Sequence, residues 1–593
     1  MTSDYSAMLR QGIEQHRASQ WQAAVESYER LLEIKPDSWE VRFLLATVEM
    51  QQGNDRAAIP QLTRVLEQQP NNAEVLNSLG TAYHRVQNWI KAIAAFKDAL
   101  RANPTNQQAW FNLAGVLTAQ GDHEQAETCY AQGLQFDPNN VPVHQHLAAA
   151  QSAQQKWKAA ESTLRKALKI APDNSDLAVM LGVALVQQER LTEAAEVFAQ
   201  ILEKQPDYAE IHSNLSYVYE RLGQPLEAIR FANQAIQLRP DYAPAYNNLG
   251  MAQRSARQLD AAIESFSRAV ELDPNFALAG FNRGTTELLR GNFRKGWPDY
   301  ELRSRTPEAA TPGWATPAWD GKELPGGVIL VYADQGIGDT LQFARFLPEL
   351  KRRSQARIVL SCPQKLVCLL QDIEGIDEVV PAGGPVPVHD VNVAIASLGA
   401  LLEVDLPEIR VDVPYLSVNH PLSDDLLAFL ADVPQDLLKV GLVWQGNPKQ
   451  ARDALRSIPL ETLRPLSRIE GISWFSLQFE PESRQSLQAV AQEWPIRDAA
   501  ALLGSFDGTA ALLGTLDLLI SVDTAAAHLA GALGCPVWTM LWETADWRWL
   551  LDRDDSPWYP SMRLYRQERW GEWESVVERI ANDLKAMVAE MRG

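Results

Sequence analysis

The chain has 593 residues, a length that corresponds to about four ordinary domains unless part of it is a repeat array. Apolar residues make up 46% and charged residues 22%, which excludes a disordered or fibrous chain. The formal net charge of −21 argues against broad electrostatic binding to nucleic acid or to an anionic membrane, because such binding requires a surplus of Lys and Arg.

The N-terminus and the cysteines favour a cytoplasmic protein. Residues 1–5 lack a basic stretch before an apolar one, and no apolar run reaches about 18 residues, so neither a signal peptide nor a membrane span is expected. The cysteines are too scattered for a disulfide framework or a zinc site, and we expect buried, reduced thiols. They are Cys129, Cys362, Cys368 and Cys535.

The first half of the chain repeats every 34 residues. Each copy has a small residue at its eighth position, an alanine twelve residues later and a proline near its end, and five copies add an aromatic residue after the alanine. The prolines are Pro36, Pro70, Pro104, Pro138, Pro172, Pro206, Pro240 and Pro274. The pattern predicts two antiparallel helices per repeat, which approach closely at the small residue and end at the proline.

This pattern resembles the tetratricopeptide repeat and predicts an α-solenoid over residues 5–305, with eight repeats and a degenerate ninth that caps the array. Such arrays mostly bind proteins, so the resemblance implies a protein partner. The sixth position of the first helix carries an asparagine in four repeats, and asparagines can hold an extended peptide backbone. Alternatively, these are solvated polar residues on a helix face. They are Asn112, Asn214, Asn248 and Asn282.

The sequence pattern changes after residue 305. Residues 306–326 are rich in Pro, Gly and Trp and predict a linker. Short β-branched runs then alternate with helical stretches, which predicts parallel sheets with helices on both faces. We expect an N-terminal lobe at 327–420, a C-terminal lobe at 436–572 and a C-terminal helix at 573–593. Strands are expected at 328–332, 357–360, 378–380, 391–395, 440–444, 472–477, 518–522 and 536–540.

Two strand-to-helix turns are candidate ligand-binding loops, because ligands bind at the carboxyl ends of parallel strands. In the first, residues 332–343, Asp339 is either a helix cap or a general base facing the cleft between the lobes. In the second, residues 520–536, small residues leave a helix N-terminus open to a diphosphate. Asp523 and Thr524 are alternatively caps only, and His528 a partly buried histidine with no ligand.

These turns, together with residues 291–301, 444–448, 456–459, 547–549 and 556–560, resemble a known group of proteins. Its members carry tetratricopeptide repeats and a C-terminal glycosyltransferase domain like family 9, the heptosyltransferase-like family, with two Rossmann-like lobes in the GT-B arrangement. The resemblance covers essentially the whole chain. It implies a metal-independent transferase that needs no cofactor and moves a sugar from a nucleotide sugar to a Ser or Thr of a protein held by the repeats.

By this resemblance Asp339 is the base for the acceptor hydroxyl. Arg456, with Lys449 and Arg452, would neutralise the leaving diphosphate, which no metal offsets in such an enzyme. The residues implied to bind the nucleotide sugar are Gly336, Gly338, Gln445, Gly446, Asn447, Lys449, Arg456, Asp523, Thr524, Ala525, Ala526 and His528.

Several alternatives stay open. The C-terminal region could be catalytically silent, so that the chain is an adaptor, or the acceptor could be a glycan or a lipid-linked sugar. The string 552–554 reads Asp-Arg-Asp, a metal-binding string in other glycosyltransferases, but we expect no metal here. The Trp-rich segment 538–573 is expected mainly to pack the second lobe against the C-terminal helix.

Overall fold

The computed structural model describes residues 2–306, 313–409, 413–418, 421–448, 453–479 and 481–592. The chain divides into two compact units, Met1–Leu222 and Gly223–Gly593. Among the described helices, none is both long and apolar enough to cross a membrane.

The helices described in the first unit form six hairpins, one for each of the first six repeats, followed by the first helix of the seventh repeat. The second helices of these hairpins end two or four residues before the repeat proline, which confirms the predicted helix pairs. The helices are α1 (Thr2–Arg17), α2 (Trp21–Ile34), α3 (Trp39–Gln51), α4 (Asp55–Gln68), α5 (Ala73–Arg85), α6 (Trp89–Ala102), α7 (Gln107–Ala119), α8 (His123–Leu134), α9 (Val141–Ala153), α10 (Trp157–Ile170), α11 (Ser175–Val186), α12 (Leu191–Lys204) and α13 (Ala209–Arg221).

In the repeats that combine a glycine with an aromatic residue, the glycine makes room for the ring, as predicted. A Cβ added to Gly80 of α5 would lie 2.6 Å from the Phe96 ring of α6, and one added to Gly12 of α1 would lie 2.8 Å from the Tyr28 ring of α2. Both rings are buried. In these repeats the absence of a side chain on the glycine therefore lets the two helices approach closely around a buried ring.

The fourth position of several repeats fastens the first helix to the proline turn before it. Chemically different side chains donate a hydrogen bond there to the proline carbonyl, at 2.7–3.2 Å. A proline has no backbone N–H to donate, but its carbonyl still needs a hydrogen-bond donor. In the first unit the pairs are Arg42 with Pro36, Trp110 with Pro104, His144 with Pro138 and His212 with Pro206; in the second unit Tyr246 pairs with Pro240.

The second unit begins with helices that keep the repeat period. They are α14 (Pro225–Leu238), α15 (Ala243–Ser255), α16 (Leu259–Leu272), α17 (Ala277–Leu289) and α18 (Phe293–Tyr300), followed by a 3₁₀ turn at Glu301–Arg305. The degenerate ninth repeat is thus a hairpin of α17 and α18. Gly284 gives it close packing, since a Cβ there would lie 2.7 Å from the Tyr300 backbone.

Two parallel sheets follow, as predicted. The first has the order β3-β2-β1-β4, and in it Leu330 pairs with Val359 on one side and with Asn392 on the other. Its strands are β1 (Val328–Tyr332), β2 (Arg357–Cys362), β3 (Glu378–Pro381) and β4 (Val391–Ala394). All of its pairings are parallel.

The second sheet has the order β10-β9-β8-β5-β6-β7, which is the doubly wound order of Rossmann folds read from the far edge. Its strands are β5 (Leu438–Val443), β6 (Ile472–Ser476), β7 (Arg497–Asp498), β8 (Leu518–Val522), β9 (Val537–Leu541) and β10 (Met562–Arg566). Strands β7 and β10 were not predicted from the sequence.

Helices and 3₁₀ turns connect these strands. The helices are α19 (Ile337–Phe343), α20 (Leu347–Ser354), α21 (Val367–Leu370), α22 (Leu398–Leu401), α23 (Asp424–Ala431), α24 (Asp453–Arg456), α25 (Pro481–Val490), α26 (Phe506–Leu513), α27 (Ala525–Ala532) and α28 (Glu574–Arg592). The 3₁₀ turns are Ala344–Phe346, Gln364–Leu366, Ile395–Ser397, Leu406–Glu408, Leu460–Arg468, Ala500–Leu502 and Trp547–Trp549.

An aromatic cluster joins the last repeat helices to the sheet-bearing region. Phe293 of α18 stacks on Trp558 at 5.9 Å and meets Trp547 edge-on at 6.0 Å. Trp297 and Tyr300 contact Trp547 at 5.6 and 5.7 Å. All five rings are buried, so α18 and the Trp-rich segment share one core.

The predicted packing of the Trp-rich segment needs correction for part of its length. Trp573 does pack in the core formed with α28, together with Val576 and Ile580. Trp547 and Trp558 contact the last repeat helices instead. The sequence could not show this, because the surface that each ring meets depends on tertiary packing and not on the local pattern.

Candidate functional site

The candidate site lies where the strand order of each sheet reverses. In the first sheet β1 has β2 on one side and β4 on the other, and in the second sheet β5 lies between β6 and β8. The loops that leave β1, β5 and β8 therefore begin at the point where ligands bind in open parallel sheets. All three contain residues that the sequence singled out.

Asp339 uses its two carboxylate oxygens for different contacts. One oxygen accepts a hydrogen bond from the Gly336 backbone N–H at 2.8 Å and so caps the start of α19. The other accepts from the Arg548 guanidinium at 2.5 Å. Burial raises the pKa of Asp339, although the Arg548 charge opposes this shift. The capping interpretation thus accounts for only one of the two oxygens.

Arg548 is buried and connects the two lobes. Besides Asp339, it donates to the side chain of Gln342 at 2.5 Å and to Asp546 at 2.6 Å, and it stacks over Trp547 at 4.5 Å. Burial works to lower the pKa of Arg548, but the Asp546 and Asp339 carboxylates raise it well above its usual value. The side chain therefore carries its charge permanently between two acids.

The start of α27 packs against the loop of the first turn. A Cβ added to Gly338 would lie 2.9 Å from the His528 ring and 3.6 Å from the Cα of Ala525. Ala525 and Ala526 are half-buried. Thr524 occupies the N-cap position, but its hydroxyl bonds with Ser521 at 3.0 Å and does not cap the helix. Glycine at 338 is therefore what allows the two predicted turns to meet.

Asp523 is 9% exposed at the carboxyl end of β8. Burial, followed by repulsion from Asp546, raises its pKa to about 6, while Arg456 and Arg548 lower it. Its Oδ1 lies 3.9 Å from His528 Nε2. A buried acid at the end of a strand whose pKa is raised towards neutral pH is typical of a binding or catalytic site.

The loop after β5 is held by side chains from its own lobe. The buried Gln478 side chain accepts hydrogen bonds from the backbone N–H groups of Trp444 and Gln445 at 3.2 and 3.1 Å and donates to the Gln445 carbonyl at 3.0 Å. The Gly446 N–H donates to Ser457 at 3.0 Å. Asn447 lies at the end of this stretch.

Arg456 connects the β5 loop to the β8 loop. It donates to Asp453 at 2.8 Å and to the backbone carbonyl of Asp523 at 3.1 Å. The predicted cation is thus beside the predicted helix start. Lys449 and Arg452, the other cations expected to face a diphosphate, lie outside the described residues.

Comparisons with known proteins bear on the repeats. A family model described as the C-terminal domain of cilia and flagella-associated protein 70 matches residues 2–212, and two tetratricopeptide repeat models match residues 209–242 and 243–276. The chain contains tetratricopeptide repeats. Protein FlbA of Caulobacter vibrioides is 27% identical over 337 residues, 52% of this chain and 55% of that protein. The chain therefore spans about half the length of this curated relative.

Solved structures similar to part of the chain include MamA and YrrB. MamA is 21% identical and covers 30% of this chain and 96% of its own, with a TM-score of 0.28. YrrB, described as a TPR protein with an unusual peptide-binding site, is 23% identical and covers 32% of this chain and 97% of its own, with a TM-score of 0.27.

The tetratricopeptide asparagines make contacts that the sequence did not predict. Asn112 donates to Asn77 of the preceding repeat at 3.0 Å, and Asn282 donates in the same way to Asn247 at 3.0 Å. Asn282 is buried, whereas Asn112 is half-buried. At least these two asparagines join neighbouring tetratricopeptide repeats. Asn214 and Asn248 are half-buried, and peptide binding by the four residues stays a prediction.

Sequence reasoning missed the side chains that connect the site to its surroundings. Arg548 was noted only as part of a Trp-Arg-Trp string, and an arginine between two large apolar residues is the signal that could have marked it as buried. Arg303, directly after the last tetratricopeptide helix, donates to Asp334 of the β1 loop at 2.9 Å and to Ser397 at 2.7 Å. Nothing in the local sequence indicates that pair.

The acidic string at 552–554 is the one motif of the sequence that could have suggested a metal ion. Asp552 pairs with Arg257, and Asp554 is exposed. In the part of the chain that the structure describes, no three His, Cys, Asp or Glu side chains are grouped to hold a metal ion. Cys129 and Cys362 are buried as expected, whereas Cys368 is exposed and Cys535 is partly exposed.

Proposed function

We propose that this chain binds protein partners through the exposed face of its repeat helices. In each first helix the sixth and ninth positions lie one turn apart and share a face. On α11 and α13 the ninth positions are Val183 and Tyr217, which are 40% and 36% exposed. Half-buried Met180 and Asn214 lie beside them. Neighbouring exposed apolar side chains with polar groups around them mark protein-binding surfaces, and this observation supports the proposal.

A peptide selection on the full-length chain tests this function. A displayed library of random extended peptides is panned against the intact protein, and the selected peptides are measured by fluorescence polarisation. The double variant Val183→Asp with Tyr217→Ser should weaken binding at least tenfold. The control is Ile90→Ser, because Ile90 is 83% exposed but lies on the second helix of its repeat. Equal loss in both variants, or no loss in the double variant, contradicts the proposed face.

A second proposed function, glycosyl transfer, is favoured by the convergence of loops from both sheets on two acids, the half-buried Asp339 and the buried Asp523. Gly338 packs on His528, Arg456 reaches the Asp523 backbone, and Asp339 and Asp523 both have raised pKa values. Acids with raised pKa values beside an arginine suit a site that accepts a proton from a substrate hydroxyl group. Together with the resemblance of the loops, this arrangement supports a nucleotide-sugar transferase of the GT-B type.

In this reaction Asp339 would act as the base. Its carboxylate takes the proton of the acceptor hydroxyl while the acceptor oxygen forms a bond to the anomeric carbon. The bond from that carbon to the diphosphate breaks, and the diphosphate leaves with the electron pair. A raised pKa favours proton acceptance near neutral pH, and Arg548 fixes the orientation of the carboxylate. Arg456 is the described cation at the β5 and β8 loops that would stabilise the leaving group.

The test is turnover of nucleotide sugars by the full-length chain. UDP-, GDP-, ADP-, CMP- and dTDP-linked sugars are incubated with the protein and with peptides recovered by the selection. We expect the native protein to consume one of these donors and the rate of consumption to fall at least a hundredfold in Asp339→Asn. Asp320→Asn is the control, because Asp320 is exposed, and its rate should equal that of the native protein. If the native protein consumes none of these donors, the chain is an adaptor and the transfer proposal fails.

A further inference from the structure

The loop that follows β1 is held at two points by buried arginines. Near its start, Asp334 accepts a hydrogen bond from Arg303 at 2.9 Å, and Arg303 belongs to the 3₁₀ turn after the last repeat helix. Five residues later, Asp339 accepts from Arg548 at 2.5 Å, and Arg548 belongs to the segment between β9 and β10. The glycine-containing stretch 335–338 therefore lies between two arginine–carboxylate pairs.

Arg303 directs its guanidinium to three different acceptors. Its side chain is 6% exposed, and besides Asp334 it donates to Glu301 at 2.7 Å and to Ser397 at 2.7 Å. Ser397 in turn donates to Glu301 at 2.6 Å, and the Ala396 backbone N–H donates to the other oxygen of Asp334 at 3.3 Å. Arg303 thus connects the end of the repeats to the segments that follow β1 and β4, the neighbouring strands at which the order of the first sheet reverses.

Both arginines lie on neighbouring aromatic rings. Arg303 stacks over Tyr300 at 4.9 Å, and Arg548 stacks over Trp547 at 4.5 Å. The rings of Tyr300 and Trp547 contact each other edge-on at 5.7 Å. Burial raises the pKa of Tyr300 to about 12, and the positive charges of Arg548 and Arg303 oppose this shift. The contacts therefore form a closed circuit, from the β1 loop through one arginine, two rings and the other arginine back to the loop.

The position of Arg303 requires both its charge and its shape. Burial works to lower the pKa of Arg303, but Tyr300, Asp334 and Glu301 raise it above its usual value. Without the guanidinium the nearly buried Asp334 would lose its cation, and a buried carboxylate without a cation is costly. A lysine would keep the charge, but its ammonium group lacks the planar fork that directs hydrogen bonds to three separate acceptors.

We propose that Arg303 is a positioning residue of the candidate site, which fixes the β1 loop, and with it Asp339, through directed hydrogen bonds from the end of the repeat array. The last repeat hairpin then has a second task besides partner binding, because the loop of the site keeps its conformation only while Arg303 holds it. The expected effect on catalysis rests on the proposed glycosyl transfer; the effect on the loop does not.

Hydrogen–deuterium exchange of the full-length chain, measured by mass spectrometry, tests the effect on the loop. In Arg303→Met we expect the backbone amides of 333–340 and 395–398 to exchange at least about tenfold faster, because their common anchor is gone, while peptides of the second sheet keep the native rates. Arg303→Lys should also exchange faster in these two segments. Arg305→Met is the control, because Arg305 is exposed on the same 3₁₀ turn, and its exchange should equal that of the native chain.

A milder variant covers the case in which Arg303→Met does not fold. In Asp334→Asn the side chain keeps its shape but has one carbonyl oxygen, so it cannot accept from both Arg303 and Ala396. We expect a smaller increase in exchange over the same two segments. Native exchange there in Arg303→Met, Arg303→Lys or Asp334→Asn, or an increase spread evenly over residues 223–593, overturns the proposal.

Kinetics test the effect on the reaction. If the native chain consumes a nucleotide sugar, Arg303→Met should lower kcat at least about tenfold, and this fall should exceed the rise in KM for the donor. The reason is that Asp339 is displaced, whereas Arg456 and Asp523 belong to loops of the second sheet. A loss carried only by KM, or an unchanged kcat, contradicts the positioning role. If no donor is consumed, glycosyl transfer fails as a function, and the exchange measurement still decides whether Arg303 holds the loop.

Discussion

Replacing Asp523 with asparagine should stabilise the protein at neutral and alkaline pH. Asp523 is nearly buried, and its pKa is raised to about 6 from an ordinary value of 3.8, chiefly by burial. The folded chain therefore binds this proton more tightly than the unfolded chain does. Stability from this group is fully present below pH 3.8 and is lost as the pH rises through 6. Asparagine has the same shape and no charge to desolvate.

The size of the effect follows from the difference between the two pKa values. A difference of about two units corresponds to about 3 kcal/mol at pH 8, where the native carboxyl group is ionised in both states. At pH 5 the folded native chain is already mostly protonated at this group, so the advantage of the Asp523→Asn variant falls to roughly half. For a unit that spans residues 223–593, about 3 kcal/mol corresponds to roughly 4 °C in melting temperature.

Differential scanning fluorimetry at pH 5 and pH 8 measures the effect, because much of the tryptophan lies in this unit. Asp554→Asn is the matched control, because Asp554 is an exposed aspartate in the same unit. This substitution should change the melting temperature little at either pH. A melting temperature of Asp523→Asn that is equal to or below that of the native chain at pH 8, or a gain of the same size at both pH values, contradicts a raised pKa of Asp523 in the folded chain.

Three further substitutions test separate parts of the structure. Gly80→Ala should destabilise the repeats by about 1–3 kcal/mol in thermal unfolding, because the added methyl group meets a buried ring. Gly115→Ala is its control: the position has open space around it, so this variant should be neutral or stabilised by up to about 1 kcal/mol. Trp297→Ala should cost about 3–5 kcal/mol and lower the melting temperature of the second unit. Arg548→Met removes a positive charge that lowers the pKa of Asp339, so this pKa should rise further. If the chain transfers sugars, the acidic limb of its pH–rate profile should then move to higher pH. An unmoved limb contradicts the role of Asp339 as the base.

The repeats were predictable because one physical rule recurs many times. A proline that ends a helix and a small residue that faces a ring recur at a fixed spacing, so chance agreement is negligible. Most strands were predictable for a similar reason, since buried parallel strands are continuous β-branched runs. Strand β7 has only Arg497 and Asp498, and β10 begins with alternating apolar and charged residues, so neither has that signal.

The site was predictable in its loops but not in the contacts between them. Position at the end of a strand follows from local sequence, and that rule selected Asp339, Asp523 and His528. Arg548 comes from a segment far along the chain, and nothing in the sequence gives the distance between Arg548 and Asp339. The pairing of Asn112 with Asn77 was missed for the same reason, because it depends on how one repeat is rotated against the next.

The last repeat hairpin belongs physically to the sheet-bearing region. Trp297 donates its indole N–H to the Val404 carbonyl at 2.7 Å, and its ring fills the space that a Cβ on Gly399 would need. The same helix supports Trp547, the neighbour of Arg548, and Arg303 just beyond it holds the β1 loop through Asp334. The sequence composition changes at residue 306, but the hydrophobic core continues across that position. Cutting the chain there would expose large apolar rings and remove a partner of the β1 loop, so the candidate site and the end of the repeat array must be studied together, whether the chain is an adaptor or a transferase.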